Sequence, residues 1–170
     1  MPFNKSRYLT EMKSMIDKAI VRLQTEKGKF KIYSVSVWTD PNAAISAISF
    51  DTKANSDKVV GKSNRYSKRK YDEFIAEGDL EMANLFKGIS KRNCNPADFK
   101  LRNFEKVKHS HISINWESKT GGKCWKLLKP ALAEIGKYTF KKLQTLPLEN
   151  DFELAINSDK DWYDRTWKLK

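Results

Sequence analysis

His109 and His111 are the two histidines of this 170-residue chain. At i and i+2 on a strand they face the same side, a spacing that a metal-binding pair can use. A metal needs a third ligand: Glu105, four residues upstream, shares that face if the strand is continuous, while Asp98 and Glu117 lie farther away. Without that ligand the pair forms the solvent-facing polar face of an edge strand, and this is the expectation. Thiol chemistry would centre on Cys94, which sits in a turn beside Lys91 and Arg92, cations of the kind that lower a thiol pKa. No signature joins Cys94 to either histidine, and a free cysteine is ordinarily a small packed residue. The patterns GxxxxGKS/T, GxGxxG, HExxH and GxSxG do not occur. The expectation is a chain with no catalytic residue, no metal and no cofactor.

Binding chemistry has more material. Lys53, Lys58, Lys62, Arg65, Lys68, Arg69 and Lys70 are interleaved with Tyr66 and Tyr71, the mixture of cations and stacking rings that single-stranded nucleic acid exploits. The whole chain has 33 Lys and Arg against 21 Asp and Glu, a formal charge of +12, which favours polyanions or an acidic protein surface. No RNP, KH or helix-turn-helix pattern accompanies the run. Aromatic residues flanked by charge equally describe a protein-binding surface, since Trp, Tyr and Arg concentrate binding energy when a partner desolvates them. Trp38, Trp116, Trp162, Tyr163 and Trp167 are the candidates, and each is also a candidate for the core.

The elements that position these residues follow from periodicity. Leu9, Met12, Ile16, Ile20 and Leu23 predict a helix from Ser6 to about Lys27, ended by Gly28. "KIYSVSVWT" (31–39) and "AAISAISFD" (43–51) read as a hairpin around Asp40-Pro41-Asn42, and the second strand has apolar residues at both parities, as a strand covered on both faces would. Residues 52–70 read as a long basic surface loop. Helical packing from Tyr71 to about Ile89 is interrupted near Gly78, and a turn follows at 90–98. One or two strands fall within 99–118, a helix within 123–145 with Pro130 in its early turns, and a short strand at 152–158. A final short helix or turn carries Trp162, Tyr163 and Trp167. The order α-β-β-α-β-α-β-α predicts one α/β (α+β) domain over 1–170, with a largely antiparallel sheet packed with helices.

Cys94 and Cys124 lack CxxC spacing and read as free thiols of a reducing compartment. The N-terminus has no apolar run of the signal-peptide kind, and nowhere do about 18 apolar residues occur together, so a cytoplasmic protein with no membrane partner is expected.

The N-terminal amphipathic pattern, "IYSVSVWTDPNAAISAISFDT" and the closing "LPLENDFELAINSDKDWYDRTWKL" together resemble an uncharacterised bacterial α/β family of about this length. Some of its members look like immunity proteins encoded beside polymorphic or contact-dependent growth-inhibition toxins. The resemblance implies a non-enzymatic protein that binds a cognate toxin domain and covers its active site or target-binding surface. The residues assigned to that contact are Lys58, Lys62, Arg65, Tyr66, Lys68, Arg69, Lys70, Trp116 and Tyr163. The positive charge departs from the acidic surfaces with which nuclease inhibitors imitate nucleic acid. A basic nucleic-acid-binding module is the alternative use of the same lysines.

Overall fold

Asn4 opens the first helix, α1 (Lys5–Glu26), in a computed structural model that describes residues 3–169; its side chain accepts the Arg7 amide at 2.9 Å and so satisfies one of the helix's free N–H groups. The buried stripe runs through Tyr8, Met12, Ile16, Ala19 and Leu23, the three- and four-residue spacing of one helical face. Strands β1 (Ile32–Asp40) and β2 (Ile45–Asp51) pair antiparallel, with Val35 opposite Phe50, Val37 opposite Ile48 and Thr39 opposite Ser46. Their turn is held by Asp40, whose carboxylate accepts the N–H groups of Asn42 and Ala43 at 2.8 and 3.1 Å.

Helix α2 (Lys53–Ala76) follows at once, then α3 (Leu80–Leu85), a 3-10 turn (Pro96–Asp98) and β3 (Leu101–Lys108), which pairs antiparallel with β2. The short α4 (Trp116–Thr120) precedes α5 (Trp125–Leu143), which crosses over to β4 (Leu148–Ile156), parallel to β1. Last comes β5 (Arg165–Lys168), antiparallel to β4. The sheet order is β3-β2-β1-β4-β5, so the expected fold class holds: one mostly antiparallel sheet packed with helices.

The two faces of this sheet are covered differently. Val35, Val37, Ile48, Phe50, Leu154 and Ile156 pack against α1 and α5 in the main core. The opposite face carries Ser34, Ser36, Ala47, Ser49 and Ala155, all fully buried, and small residues let the chain after α3 and the turn before β5 lie close to the strands. Arg92 donates to the Ser34 hydroxyl, the Asn103 amide to the Ser49 hydroxyl, and the Tyr163 ring meets Phe99 edge-on. The apolar residues at both parities of β2 meant a strand buried on two sides.

Three sequence expectations change. Residues 53–76 are helix, not loop: Thr52 caps the Asn55 amide, no proline falls within the segment, and Lys53–Asp57, Lys68–Asp72 and Arg69–Glu73 pair at i,i+4 along a helix that is polar nearly all round. The C-terminal segment forms an irregular turn and then β5, because Ser158 and Asp161 close the turn through their own backbone and Leu154 and Ile156 offer β4 as an edge to pair with. Trp167 thereby lies on Gly136 of α5 and is half-buried, while Trp162 meets Trp38 edge-on and is 52% exposed. The third change concerns the histidines and belongs to the site. Among the described residues no helix is long and apolar enough to cross a membrane.

Candidate functional site

Helix α2 is built to leave the body of the protein. At roughly 1.5 Å per residue its 24 residues span about 36 Å, and among them only Ser56, near the start, is buried. The foot is fixed by three contacts. Asp51 accepts N–H groups from Thr52, Asn55 and Lys100 at 2.8 to 3.1 Å; Ser56 accepts the Asn93 amide at 2.9 Å; and the Arg92 guanidinium donates to the Tyr33 carbonyl, the Ser34 hydroxyl and the Asp151 carbonyl while lying 3.7 Å from the centre of the Tyr33 ring.

Beyond the foot, α2 is covered by α3 and by the chain that returns from it. Phe86 stacks on Phe74 at 5.7 Å and meets Tyr66 edge-on at 6.3 Å. The Asn64 side-chain amide exchanges two hydrogen bonds with Ser90, at 2.9 and 3.0 Å, as a strand partner would. Between them lies a groove of about 390 Å³ lined by residues that include Arg65, Lys68, Tyr71, Phe86 and Ile89. Ile89, which lines it, and Leu80 and Leu85 of α3 are 78%, 64% and 72% exposed, an apolar tip that nothing among the described residues covers.

The helical conformation sorts the basic residues that the sequence singled out. Lys58, Lys62, Arg65 and Arg69 stand at i, i+4, i+7 and i+11, one exposed stripe of α2. Among the described residues Lys58, Lys62 and Arg65 have no carboxylate partner, whereas Lys68, Arg69 and Lys70 are paired with Asp72 and Glu73. Residues 53–70 carry seven Lys and Arg and one Asp; residues 71–81 carry five acidic residues and no basic one. This order opposes the helix macrodipole, and the cation precedes the anion in every pair, the weaker orientation. Helix stability did not select it.

Trp116 and Tyr163 lie elsewhere. Trp116 stacks on Phe3 at 5.2 Å beside α1, and Tyr163 sits over the small-residue face of the sheet with its hydroxyl buried, where burial pushes its pKa far up. Of the nine residues assigned to a contact, the seven from Lys58 to Lys70 share the arm.

The histidines are not on a solvent-facing edge. Strand β3 ends at Lys108; His109 and His111 follow it and turn inward, 1% and 7% exposed. None of the carboxylates considered from sequence reaches them: Glu105 pairs with Arg22 at 2.7 Å, Asp98 accepts from Asn95, and Glu117 accepts the Trp125 indole N–H. The carboxylate beside them is Glu11 of α1, whose Oε2 is 2.6 Å from His109 Nδ1 and 3.5 Å from His111 Nδ1. A run of hydrogen bonds continues from His109 Nε2 to Ser46 Oγ at 2.8 Å, then to Thr39 Oγ1 and Tyr8 Oη at 2.6 Å each. Burial pushes the His109 pKa down against the pull of Glu11, so the ring is neutral near pH 7; burial raises Glu11, but hydrogen bonds from His109 and Arg7 bring it below its ordinary value. A carboxylate 98 residues away leaves no local signal except its place next to Tyr8 and Met12 on the buried side of α1.

No family model, curated protein sequence or solved structure matches the chain.

Cys94 does not bear out an activated thiol. Partial burial and the nearby Glu153 push its pKa up, outweighing Arg92, whose guanidinium is engaged at the foot of the arm. Cys124 is buried and also raised by burial.

Proposed function

We propose that this chain is a binding protein of the immunity type, which captures an acidic face of a cognate toxin domain with the α2–α3 arm and blocks that domain's active site or target-binding surface. The observation that carries the reading is the groove between α2 and the chain after α3: an apolar floor and tip, rimmed by Arg65 and Lys68, on an element that projects from a rigid sheet. A pocket of this size accepts one large apolar side chain, the kind of anchor that dominates protein interfaces, and surrounding cations steer an acidic partner into register. Exposed Leu80, Leu85 and Ile89 favour a protein over nucleic acid, because a phosphate backbone offers them nothing to bury against. The job proposed is non-enzymatic and is done in the cytoplasm.

The test is calorimetric titration of the purified chain with a candidate toxin domain, sought in the neighbouring genes, alongside a single-stranded oligonucleotide at low salt. A one-to-one complex that weakens at least about 30-fold in an Arg65→Glu, Lys68→Glu double variant is the expected result. Tight oligonucleotide binding that falls steeply with salt, with no toxin complex, would replace this reading by the nucleic-acid one.

A further inference from the structure

The cluster of Glu11, His109 and His111 has no part in the arm. Its three ligand atoms lie within 4.8 Å of one another, contributed by α1 and by the loop after β3. Both ring nitrogens of His111 are buried, and among the described residues neither has a hydrogen-bond partner. An imidazole buried without a partner loses its hydration for no return, an uncommon arrangement in a folded protein. A cation at the point between the three groups would give His111 a bond.

We propose that Glu11, His109 and His111 bind one zinc-like divalent transition-metal ion in a closed, structural site that pins α1 to the loop after β3. Two imidazoles and a carboxylate suit zinc and its first-row neighbours, whereas magnesium and calcium prefer oxygen ligands throughout. The surroundings orient the set. Arg7 Nε occupies Glu11 Oε1 at 2.9 Å and leaves Oε2 as the ligand oxygen. His109 turns Nδ1 toward Glu11 because Ser46 holds Nε2 at 2.8 Å, the outer partner that fixes a ligating ring. On binding, the ion takes the position now held by the proton between Glu11 Oε2 and His109 Nδ1; the ring stays neutral, with its one proton on Nε2, where it donates to Ser46 Oγ.

A cavity of about 10 Å³ adjoins His111, walled by Phe3 and Trp116, which stack at 5.2 Å. Its volume matches one water beside His111, and the burial of both imidazoles keeps a substrate from the ion, so the role proposed for it is structural.

The test uses the full chain, stripped with a chelator and titrated with cobalt(II), read by its visible absorbance, and with zinc(II), read by calorimetry. One ion per chain is expected, with a melting temperature raised by roughly 5–10 °C at a hundredfold excess over Kd. His111→Ala and, separately, Glu11→Gln each weaken binding at least about 100-fold, while Cys94→Ser, which removes the exposed thiol, leaves it unchanged. Glu11→Gln keeps the size and a hydrogen-bonding oxygen, so the comparison stands even where His111→Ala disturbs packing. Absence of saturable binding by the wild-type chain up to about 100 µM metal would overturn the proposal, as would binding that survives both ligand variants or disappears in Cys94→Ser.

Discussion

Replacing Arg92 with alanine isolates the foot of the arm. The guanidinium makes three hydrogen bonds, to the Tyr33 carbonyl at 3.0 Å, the Ser34 hydroxyl at 2.7 Å and the Asp151 carbonyl, and it lies 3.7 Å from the centre of the Tyr33 ring. At about 1 kcal/mol net for each bond in a half-buried setting, less what water recovers at the exposed Asp151 contact, and about 0.5–1 kcal/mol for the ring, the loss is about 2–4 kcal/mol. For a chain of this size that corresponds to a fall in melting temperature of roughly 5–15 °C. Arg92→Lys should recover no more than half, because an ammonium cannot span three acceptors and lie flat on the ring at once. Arg102→Ala is the control: Arg102 is exposed and makes no side-chain hydrogen bond or ion pair among the described residues, so its removal should cost less than about 0.5 kcal/mol. Differential scanning calorimetry reads all three. The reasoning fails if Arg92→Ala melts within about 1 °C of wild type, or no lower than Arg102→Ala.

Two helical glycines should respond in opposite ways. A Cβ on Gly136 would meet the Trp167 ring at 2.2 Å, so Gly136→Ala should displace that ring and cost about 1–3 kcal/mol, read by urea unfolding, with much of the loss absent in a Trp167→Ala background. On Gly61 the nearest atom is the mobile end of Arg65 at 3.5 Å, so Gly61→Ala should stabilise α2 by about 0.5–1 kcal/mol and slow hydrogen exchange in its middle turns. Burial raises the Asp51 pKa although four N–H groups donate to it, so the folded chain keeps this proton to a higher pH than the unfolded one, which releases it at the ordinary value of 3.8. In that window folding takes up a proton and stability falls as pH rises; Asp51→Asn should remove this slope from thermal melts taken from about pH 4 upward.

Where a pattern is carried by apolar spacing, the sequence was readable. The stripe of α1, the β1–β2 hairpin, the double-sided burial of β2, α5 and the core of β4 were all visible as periods of 3.6 or 2. The arm was not, since a helix whose 24 residues bury only Ser56 has almost no apolar period to show, and its signals were a cap at Thr52, the lack of proline and charges four apart. Its cations stood out by composition, and what conformation added was the order of Lys58, Lys62, Arg65 and Arg69 into one stripe. In the last segment the turn reading holds for Trp162 and Tyr163, where Ser158 and Asp161 close a turn, but β5, which carries Trp167, went unread because its four residues have no apolar period. His109 and His111 stood out by type, but their carboxylate comes from α1, and no spacing along the chain encodes a contact made by tertiary packing alone.

Hydrogen exchange of the chain, free and bound to the toxin domain proposed as its partner, tests the central claim most directly. The account predicts slowed exchange concentrated in residues 58–90, along α2, α3 and the chain after them. Protection confined to the outer faces of α1 and α5, or to the β4–β5 edge, with the arm exchanging as in the free protein, would contradict it.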